Sequence, residues 1–342
     1  MTLGTDVAVV GCGAVSTLYY APALMRLRRG GVVGRITAFD PDAGRAHTFA
    51  ELVDGKPVGS FDELLELGAG LVIVASPPML HMAQSIAAME AGMDVLCEKP
   101  LAIGAAQAQA MIDAATRTGT RLSAGYVRRQ FPATKAIGDI VRSGLLGEIT
   151  GVTCFEGGPF AWPVAGPTYF SRSSSGGGVL QDIGTHCLDL LHWWFGAPDR
   201  FDYLDDAFGG VEANCLVRLD YPSFRATVRL SRDWAQPNVY RIVGSGGWLA
   251  WQVNDPFNYE FQVLGNVPAK VSMMVSDKDD FQQAFVRQIE GALPGGTGGA
   301  SVTSVPASVS LIERCYADRI SMHLPWLAPV EAARAESLAG SR

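Results

Sequence analysis

A short apolar segment near the amino terminus ends in a glycine-rich turn, and this feature constrains the fold most. Residues 7–16 read VAVVGCGAVS. The apolar residues predict a buried strand, and those beyond the second glycine are compatible with a helix. In such a turn the first glycine makes the bend, the second lets the backbone approach a pyrophosphate, and the opening helix amides face its charge. We therefore predict a dinucleotide site at Gly11, Gly13, Ala14 and Val15.

The third position of the turn departs from the strict glycine fingerprint. Ser16 stands there, giving G-x-G-x-x-S, so we expect slightly looser packing of helix on strand. Glycine is also abundant, at 39 of 342 residues, and an ordinary strand-to-helix turn needs only one. A turn without a nucleotide stays open as the second interpretation.

An acidic residue follows the next apolar run. Residues 35–39 end at Asp40, roughly where a dinucleotide-binding unit places the carboxylate that accepts the ribose hydroxyls. This favours NAD, because the 2′-phosphate of NADP would meet a negative charge. Arg45 would relieve part of that repulsion, so NADP is the alternative cofactor. Since Asp40 precedes Pro41, a simple turn role is also open.

Composition and charge exclude several classes of protein. The net charge is −7 and long basic runs are absent, which argues against a nucleic-acid partner. No apolar run approaches the roughly 20 residues of a membrane span, and the amino terminus lacks a signal pattern. The six cysteines show no metal-ligand spacing. We expect a cytoplasmic protein with a small-molecule substrate and no metal, nucleic-acid or membrane partner.

The order of apolar runs predicts an α/β fold with two domains. The first, over 1–125, alternates strands and helices as in a Rossmann dinucleotide-binding domain. The second, over 126–330, reads as an α+β domain with an open, mostly antiparallel sheet for substrate binding and oligomerisation. Because an open sheet exposes one face, we expect a homodimer or homotetramer.

Individual elements follow from the periodicity and from turn signals. Strands are predicted near 6–10, 35–39, 71–75, 94–97, 121–124, 148–155, 211–220, 224–231 and 239–243. Helices are predicted at Met79–Ala91 and Ala105–Arg117 and near 133–143, 277–292 and 306–320, with a loop or hinge at Gly291–Gly299.

Two segments carry side chains suited to catalysis. The strand at 94–97 leads into Glu98-Lys99-Pro100, which places a charged pair at the carboxyl end of a parallel strand, where open α/β sheets bind ligands. Lys99 has a second interpretation, as a surface lysine paired with a neighbouring acid.

The other segment, residues 176–186, reads GGGVLQDIGTH and opens a predicted helix. Asp182 and His186 are four residues apart, so they share a face if the segment is already helical there. If it is still a turn, Thr185 is placed to cap the helix and to present His186 in its first turn. His186 has the further alternative of merely capping or filling its helix.

With these motifs the chain resembles the Gfo/Idh/MocA oxidoreductases, the family of glucose-fructose oxidoreductase and inositol 2-dehydrogenase. The resemblance covers nearly the whole chain: the glycine turn, S-P-P at 76–78 followed by His81, the E-K-P triplet and D-x-x-x-H. It implies bound NAD or NADP and hydride transfer at a hydroxyl or keto carbon of a sugar, amino sugar or cyclitol.

The resemblance also implies roles for individual residues. It gives Lys99 a nicotinamide-side and substrate role, His186 a proton-transfer role, and Asp182 an orienting or substrate-binding role. These roles suit the chemistry, because hydride transfer from a carbinol carbon requires removal of the hydroxyl proton. The further cofactor-side residues are Ser76, Pro77, His81 and Glu98. His81 has the alternative of beginning the next helix as a solvated side chain.

Substrate contacts are expected from an irregular stretch at 157–175, rich in aromatic residues, and from nearby arginines. Trp162 suits the C–H face of a sugar ring, and Arg128 suits hydroxyl or acidic groups. Packing at a subunit contact is the alternative for both.

Two other functions share these motifs. The resemblance extends to glycosidases that oxidise a sugar transiently with bound NAD, eliminate the aglycone and reduce the product again. A sugar sensor that kept the fold without the chemistry is the third class.

Overall fold

The computed structural model describes residues 4–164, 166–207, 210–276, 279–297, 302 and 305–322. The strands are β1 Thr5–Val10, β2 Val33–Phe39, β3 Lys56–Pro57, β4 Leu71–Val74, β5 Asp94–Glu98, β6 Leu122–Gly125, β7 Ile149–Gly157, β8 Arg200–Asp205, β9 Asn214–Asp220, β10 Arg225–Ser231, β11 Val239–Gly244, β12 Gly247–Gln252, β13 Asn258–Val263, β14 Ala269–Ser272 and β15 Ile320–Ser321. The α-helices are α1 Ala21–Arg29, α2 Ala43–Leu52, α3 Phe61–Leu67, α4 Pro78–Glu90, α5 Ala105–Thr118, α6 Pro132–Ser143, α7 Arg172–Ser175, α8 Thr185–Phe195, α9 Gln282–Ala292 and α10 Val305–Ala317.

These elements form two compact units. Unit 1 contains the described residues within 1–130, 163–169 and 278–309, and unit 2 contains those within 131–162, 170–277 and 310–342.

Unit 1 is built on a six-stranded parallel sheet in the order β3-β2-β1-β4-β5-β6. All four side chains of β4 are buried although successive ones point to opposite faces, as expected when both faces of a parallel sheet are covered. Val10 at the end of β1 is paired with Phe39 on one side and with Val74 on the other. The turns after these three strands therefore meet at the carboxyl edge of the sheet, where the strand order reverses.

Local sequence signals explain several boundaries in unit 1. Asp42 caps α2 by accepting hydrogen bonds from the amides of Gly44 and Arg45. Ser60 caps α3 through the amide of Glu63. Helix α5 ends at Thr118 and is followed by the C-cap Gly119, which has a φ of 71°. The helices predicted at 79–91 and 105–117 match α4 and α5 within one residue at each end.

Helix α9 lies far from helices α1 to α5 in the sequence but belongs to the same unit, unit 1. The guanidinium of Arg121 donates to the carbonyl oxygens of Leu293 at 2.9 Å and Gly291 at 2.8 Å. The sequence prediction placed this segment in the second domain. The hydrogen bonds between Arg121 and the end of α9 join residues 172 and 170 positions apart. Contacts at such separations leave no trace in local periodicity, so the sequence did not reveal the unit to which α9 belongs. Of the predicted helix at 277–292 and loop at 291–299, residues 277, 278, 298 and 299 lie outside the described residues.

Unit 2 is built on a nine-stranded sheet in the order β14-β13-β12-β11-β7-β10-β9-β8-β15. The pairs β7–β10 and β8–β15 are parallel and the other neighbours are antiparallel. The expected fold class, a Rossmann domain followed by a mostly antiparallel sheet domain, is thus confirmed. The helices α6 and α8 pack together in this unit, where the indole of Trp194 donates to the carbonyl oxygen of Thr134 at 3.1 Å.

Within the described ranges, no helix is both long enough and apolar enough to cross a bilayer.

One face of the nine-stranded sheet, called the outer face, carries several apolar side chains that stay partly exposed among polar and charged ones. Arg229 lies opposite both Phe155 and Leu216, so these three side chains share the face. The same face continues through the registers of β11 and β12, where Val243 lies opposite Trp248. Apolar side chains that stay partly exposed on an open sheet face favour association with another copy of the chain.

We predict that the protein sediments as a homodimer or homotetramer at micromolar concentration. Val243→Asp should shift the distribution towards monomer, because it places a charge on the outer face. Val267→Asp is the matched control, since Val267 is 83% exposed in the loop between β13 and β14. A wild-type monomer in sedimentation velocity would contradict the proposed pairing through this face.

Candidate active site

The glycine turn after β1 has one closed side and one open side. Gly11 has a φ of +90°, and a Cβ there would lie 2.6 Å from the amide nitrogen of Ser76. Only glycine fits this position. A Cβ on Gly13 would meet nothing within 4 Å, and Ala14 and Val15 begin the helical turn that follows. The open space over Gly13, next to helix-opening amides, fits a pyrophosphate group.

Ser16, at the position of the third glycine, is hydrogen-bonded to the turn through its side chain. It is fully buried, and its hydroxyl donates to the carbonyl oxygen of Gly11 at 2.6 Å. The segment Ser16–Tyr20 is π-helical and runs into α1. The hydroxyl therefore links the start of the helix to the backbone of the turn.

Asp40 is buried, and its carboxylate is engaged by the backbone. One oxygen accepts the amide of Cys12 at 2.9 Å, and the other accepts the amide of Asp42 at 2.9 Å and the Arg45 Nε at 3.1 Å. The turn role suggested by the sequence is thus observed. It does not exclude a ribose role, because each carboxylate oxygen has two lone pairs and Oδ2 receives a single hydrogen bond from the described residues.

Ser76, Pro77 and His81 follow β4 at the same edge of the sheet. The hydroxyl of Ser76 donates to Gln84 Oε1 at 2.6 Å, and Pro77 precedes the first turn of α4. His81 is 1% exposed, so its alternative as a solvated side chain is wrong. Its ring nitrogens lie 2.8 Å from the carbonyl oxygen of Ser76 and 2.9 Å from that of Pro100. Burial lowers the pKa of His81, and the ring links the segments that follow β4 and β5.

Glu98 is buried at the end of β5 and holds the backbone of Lys99. Its Oε1 accepts the hydroxyl of Tyr20 at 2.6 Å, and its Oε2 accepts the amide of Lys99 at 2.9 Å. Burial raises the pKa of Glu98, while the Tyr20 hydrogen bond and the Lys99 charge act against that rise. Lys99 itself is half-buried, and the Lys99–Pro100 peptide bond is cis.

In unit 2 the D-x-x-x-H segment is helical throughout. A π-helical stretch, Leu180–Gly184, continues without a break into α8, and the buried Thr185 is the first residue of α8, whose N-cap position is Gly184. The helical alternative is therefore correct, and Asp182 and His186 lie on one side of the helix. His186 is half-buried.

The cationic partner of Asp182 was not predicted from the sequence. The guanidinium of Arg232 lies 3.0 Å from Asp182 Oδ2, with side-chain exposures of 7% and 26% respectively. The same guanidinium lies 5.5 Å from the ring centroid of Phe160. The two ionic residues are 50 positions apart, and Arg232 simply follows strand β10, so no sequence pattern indicated the pair.

The glycine run before the helix is explained by two further residues that the sequence did not indicate. A Cβ on Gly178 would lie 2.0 Å from the carbonyl oxygen of Glu212, and one on Gly177 would lie 2.0 Å from the hydroxyl of Tyr316. The buried carboxylate of Glu212 accepts the amides of Gly178 at 3.0 Å and Leu180 at 2.9 Å, and the hydroxyl of Tyr316 at 2.7 Å. These bonds fix the start of the segment that carries Asp182.

The two predicted substrate residues belong to different units. Arg128 lies in a 3₁₀ turn of unit 1 and is 5% exposed. Trp162 lies in an irregular part of unit 2 and is half-buried. No cluster of potential metal ligands occurs among the residues that the structure describes.

Comparison with known proteins assigns the family. Residues 5–126 match the family described as "Oxidoreductase family, NAD-binding Rossmann fold", and residues 134–250 match the "GFO/IDH/MocA C-terminal domain". The chain belongs to the Gfo/Idh/MocA oxidoreductases, as the resemblance of its motifs indicated, and its first unit contains an NAD(P)-binding Rossmann domain.

Three similar proteins illustrate the range of the family. An uncharacterized oxidoreductase of Rhizobium meliloti, ORF334, is 31% identical over 258 residues, which cover 73% of this chain and 74% of that protein. D-glucoside 3-dehydrogenase of Escherichia coli is 30% identical over 197 residues, 56% of this chain and about half (54%) of that enzyme. The structure of KijD10, a 3-ketoreductase from Actinomadura kijaniata in complex with NADP and TDP-benzene, covers 94% of this chain and 100% of its own with a TM-score of 0.79. Its identity is 21%, so this likeness concerns the fold.

We predict that Gly13→Ala weakens NAD(P) binding about tenfold or more while leaving thermal stability nearly unchanged. The added methyl group would occupy the open space over the turn, where it meets no protein atom. Gly151→Ala is the matched control, because a Cβ there also meets nothing within 4 Å and the residue lies in β7. Calorimetric titration with NAD and NADP measures the effect, and wild-type affinity in Gly13→Ala would contradict the assignment.

We predict that NAD binds more tightly than NADP and that Asp40→Asn narrows this preference about tenfold. The asparagine side chain keeps one of the two oxygens that accept backbone amides and removes the charge that opposes a 2′-phosphate, and Arg45 remains beside it. Titration of both cofactors tests this. Equal affinities in the wild type would remove the basis for an NAD preference.

Proposed function

We propose that this protein is an NAD(P)-dependent dehydrogenase or ketoreductase that acts on a hydroxyl or keto carbon of a sugar, amino sugar or cyclitol. The family supplies the general class of NAD(P)-dependent, sugar-type oxidoreductase. The observation that carries the finer proposal is the placement of Lys99, a half-buried lysine held through its own backbone at the ligand-binding edge of the dinucleotide sheet.

Lys99 suits a role beside the reacting carbon. When bound, the nicotinamide of NAD(P) accepts a hydride from that carbon or returns one to it. An ammonium group provides three hydrogen-bond donors and a positive charge, which favour the negative charge that develops on the substrate oxygen. The proposed cofactor-side residues are Gly11, Gly13, Ala14, Val15, Asp40, Ser76 and Pro77, with His81 and Glu98 supporting the segment that holds Lys99.

His186 and Asp182 suit the proton and the substrate hydroxyls. An imidazole titrates near neutral pH, so His186 can take up the hydroxyl proton in the oxidative direction and return it in the reductive one. The Asp182 carboxylate, which the Arg232 guanidinium contacts at 3.0 Å, offers hydrogen-bond acceptor atoms suited to a substrate hydroxyl. Arg128 and Trp162 are the further substrate-side candidates.

Net cofactor turnover tests the proposed function. The purified protein is incubated with NAD or NADP and a panel of sugars, amino sugars and cyclitols, and the absorbance of the reduced nicotinamide is followed. We expect reduced cofactor to accumulate in proportion to oxidised substrate. Release of an alcohol from a glycoside without reduced cofactor would indicate the glycosidase reaction instead. Cofactor binding without any turnover would indicate a sensor.

We predict that Lys99→Ala and His186→Ala each lower kcat about a hundredfold or more with nearly unchanged NAD(P) affinity, because general acid–base and electrostatic help is lost. Asp182→Asn should cost less, since the amide retains part of the hydrogen bonding. Steady-state kinetics and cofactor titration measure these effects.

The chain offers matched controls for both substitutions. Lys56→Ala removes an exposed lysine from the short strand β3, and His47→Ala removes a histidine whose side chain is 67% exposed. Both controls should turn over like the wild type. Undiminished turnover in folded Lys99→Ala would refute the role of the lysine, and the same result in His186→Ala would leave the D-x-x-x-H segment as structure alone.

A further inference from the structure

We propose that Tyr20 is a positioning residue for Lys99 and acts through the carboxylate of Glu98. The catalytic part of this inference rests on the proposed function of Lys99. The structural part rests on a chain of hydrogen bonds within unit 1.

The chain of bonds joins three elements that are distant in sequence. Gln288 on α9 donates through Nε2 to the hydroxyl oxygen of Tyr20 at 2.9 Å. Tyr20 donates to Glu98 Oε1 at 2.6 Å, and the backbone amide of Lys99 donates to Glu98 Oε2 at 2.9 Å. Tyr20 ends the π-helical segment that follows the glycine turn. The dinucleotide turn and the Lys99 backbone are therefore connected through a single carboxylate.

Burial fixes the direction of these bonds. Tyr20 is 0% exposed, and burial together with the neighbouring Glu98 raises its pKa, so the phenol keeps its proton and is the donor. Glu98 accepts at both oxygens, which is the bonding pattern of an ionised carboxylate. A protonated Glu98 would carry its proton on one of these oxygens and would hold the Lys99 amide less firmly.

The packing around Glu98 leaves little freedom for an alternative arrangement. A Cβ on Gly125 of β6 would lie 2.9 Å from the Glu98 Cα and 3.0 Å from its Oε1. Tyr20 packs edge-on against Phe285 of α9, with ring centroids 5.5 Å apart. The charged and titratable groups that act on Glu98 and Tyr20 are Lys99, Cys97 and each other. The carboxylate thus depends on the Tyr20 hydroxyl to balance the cost of its burial.

The amide signal of Lys99 measures this arrangement without any substrate. The chain has five lysines, at 56, 99, 135, 270 and 278, so ¹⁵N-lysine labelling gives a sparse amide spectrum. The Lys99 signal is assigned by its loss in Lys99→Arg. Because this amide donates to Glu98, its proton shift should follow the ionisation of Glu98 as pH is changed.

In Tyr20→Phe we expect the midpoint of that titration to rise by about one pH unit, because the hydrogen bond that lowers the pKa of Glu98 is removed. Tyr240→Phe is the matched control: the Tyr240 hydroxyl also donates to a buried glutamate, Glu156 at 2.5 Å, but in unit 2. Its Lys99 titration should match the wild type. An unchanged midpoint in Tyr20→Phe would overturn the proposed linkage.

Kinetics test the positioning role itself. Tyr20→Phe should lower kcat about tenfold with unchanged NAD(P) affinity, and the acid limb of its kcat profile should move to higher pH by the same amount as the amide titration. A shifted amide titration with unchanged kcat would overturn the positioning role. Absence of turnover in the wild type would count against the proposed function only, since the amide titration still decides the linkage.

A second variant covers the case in which Tyr20→Phe does not fold. Gln288→Met removes the donor to the Tyr20 hydroxyl but leaves Tyr20 and Glu98 in place. The midpoint of the Lys99 amide titration should then rise by a smaller amount, because the hydroxyl becomes a weaker donor. An unchanged midpoint in this variant would contradict the relay from α9 to Glu98.

Discussion

The candidate site in unit 1 depends on the hydrogen bonds that the buried carboxylate of Glu98 accepts. Removing a carboxylate from water is costly, and the cost is tolerated only when its oxygens receive good hydrogen bonds. Here the donors come from the helix after the glycine turn, through Tyr20, and from the backbone of Lys99. The Glu98 carboxylate therefore links the expected cofactor turn to the expected catalytic lysine. Loss of either hydrogen-bond donor should alter the position of both segments.

A buried glutamate that accepts a tyrosine hydroxyl also occurs in unit 2. Glu212 is buried, accepts a tyrosine hydroxyl from Tyr316, and accepts backbone amides at the start of the segment that carries Asp182. Burial raises the pKa of Glu212 as it does that of Glu98, and hydrogen bonds oppose the rise in both cases. In each unit a tyrosine–glutamate pair fixes the backbone next to a residue proposed to act on the substrate. The candidate reactive residues are thus positioned through hydrogen bonds to the main chain.

Sequence reasoning succeeded where the physical signal is local. The turn at Gly11, the acid that follows β2, and the strands β1, β2, β4, β5 and β6 of the parallel sheet all follow from apolar runs and turn residues next to one another. It failed for the short strands β3 and β15 and for β8, β12, β13 and β14. Two-residue strands carry no periodicity, and β14, at the edge of the nine-stranded sheet, pairs with a single neighbour. It also assigned α9 to the second domain. The apolar face of α9 shows that the helix packs against other elements, but it does not identify those elements.

The sequence by itself determined the fold class, the cofactor turn and the identity of the candidate reactive residues, because each is encoded by residue types a few positions apart. Tertiary structure alone decided what surrounds them. Arg232 reaches Asp182 across 50 positions, Tyr20 reaches Glu98 across 78, and Tyr316 reaches Glu212 across 104. The physical reason is that a carboxylate shielded from water needs hydrogen-bond donors that are close to it in the folded chain. These donors can come from any part of the sequence.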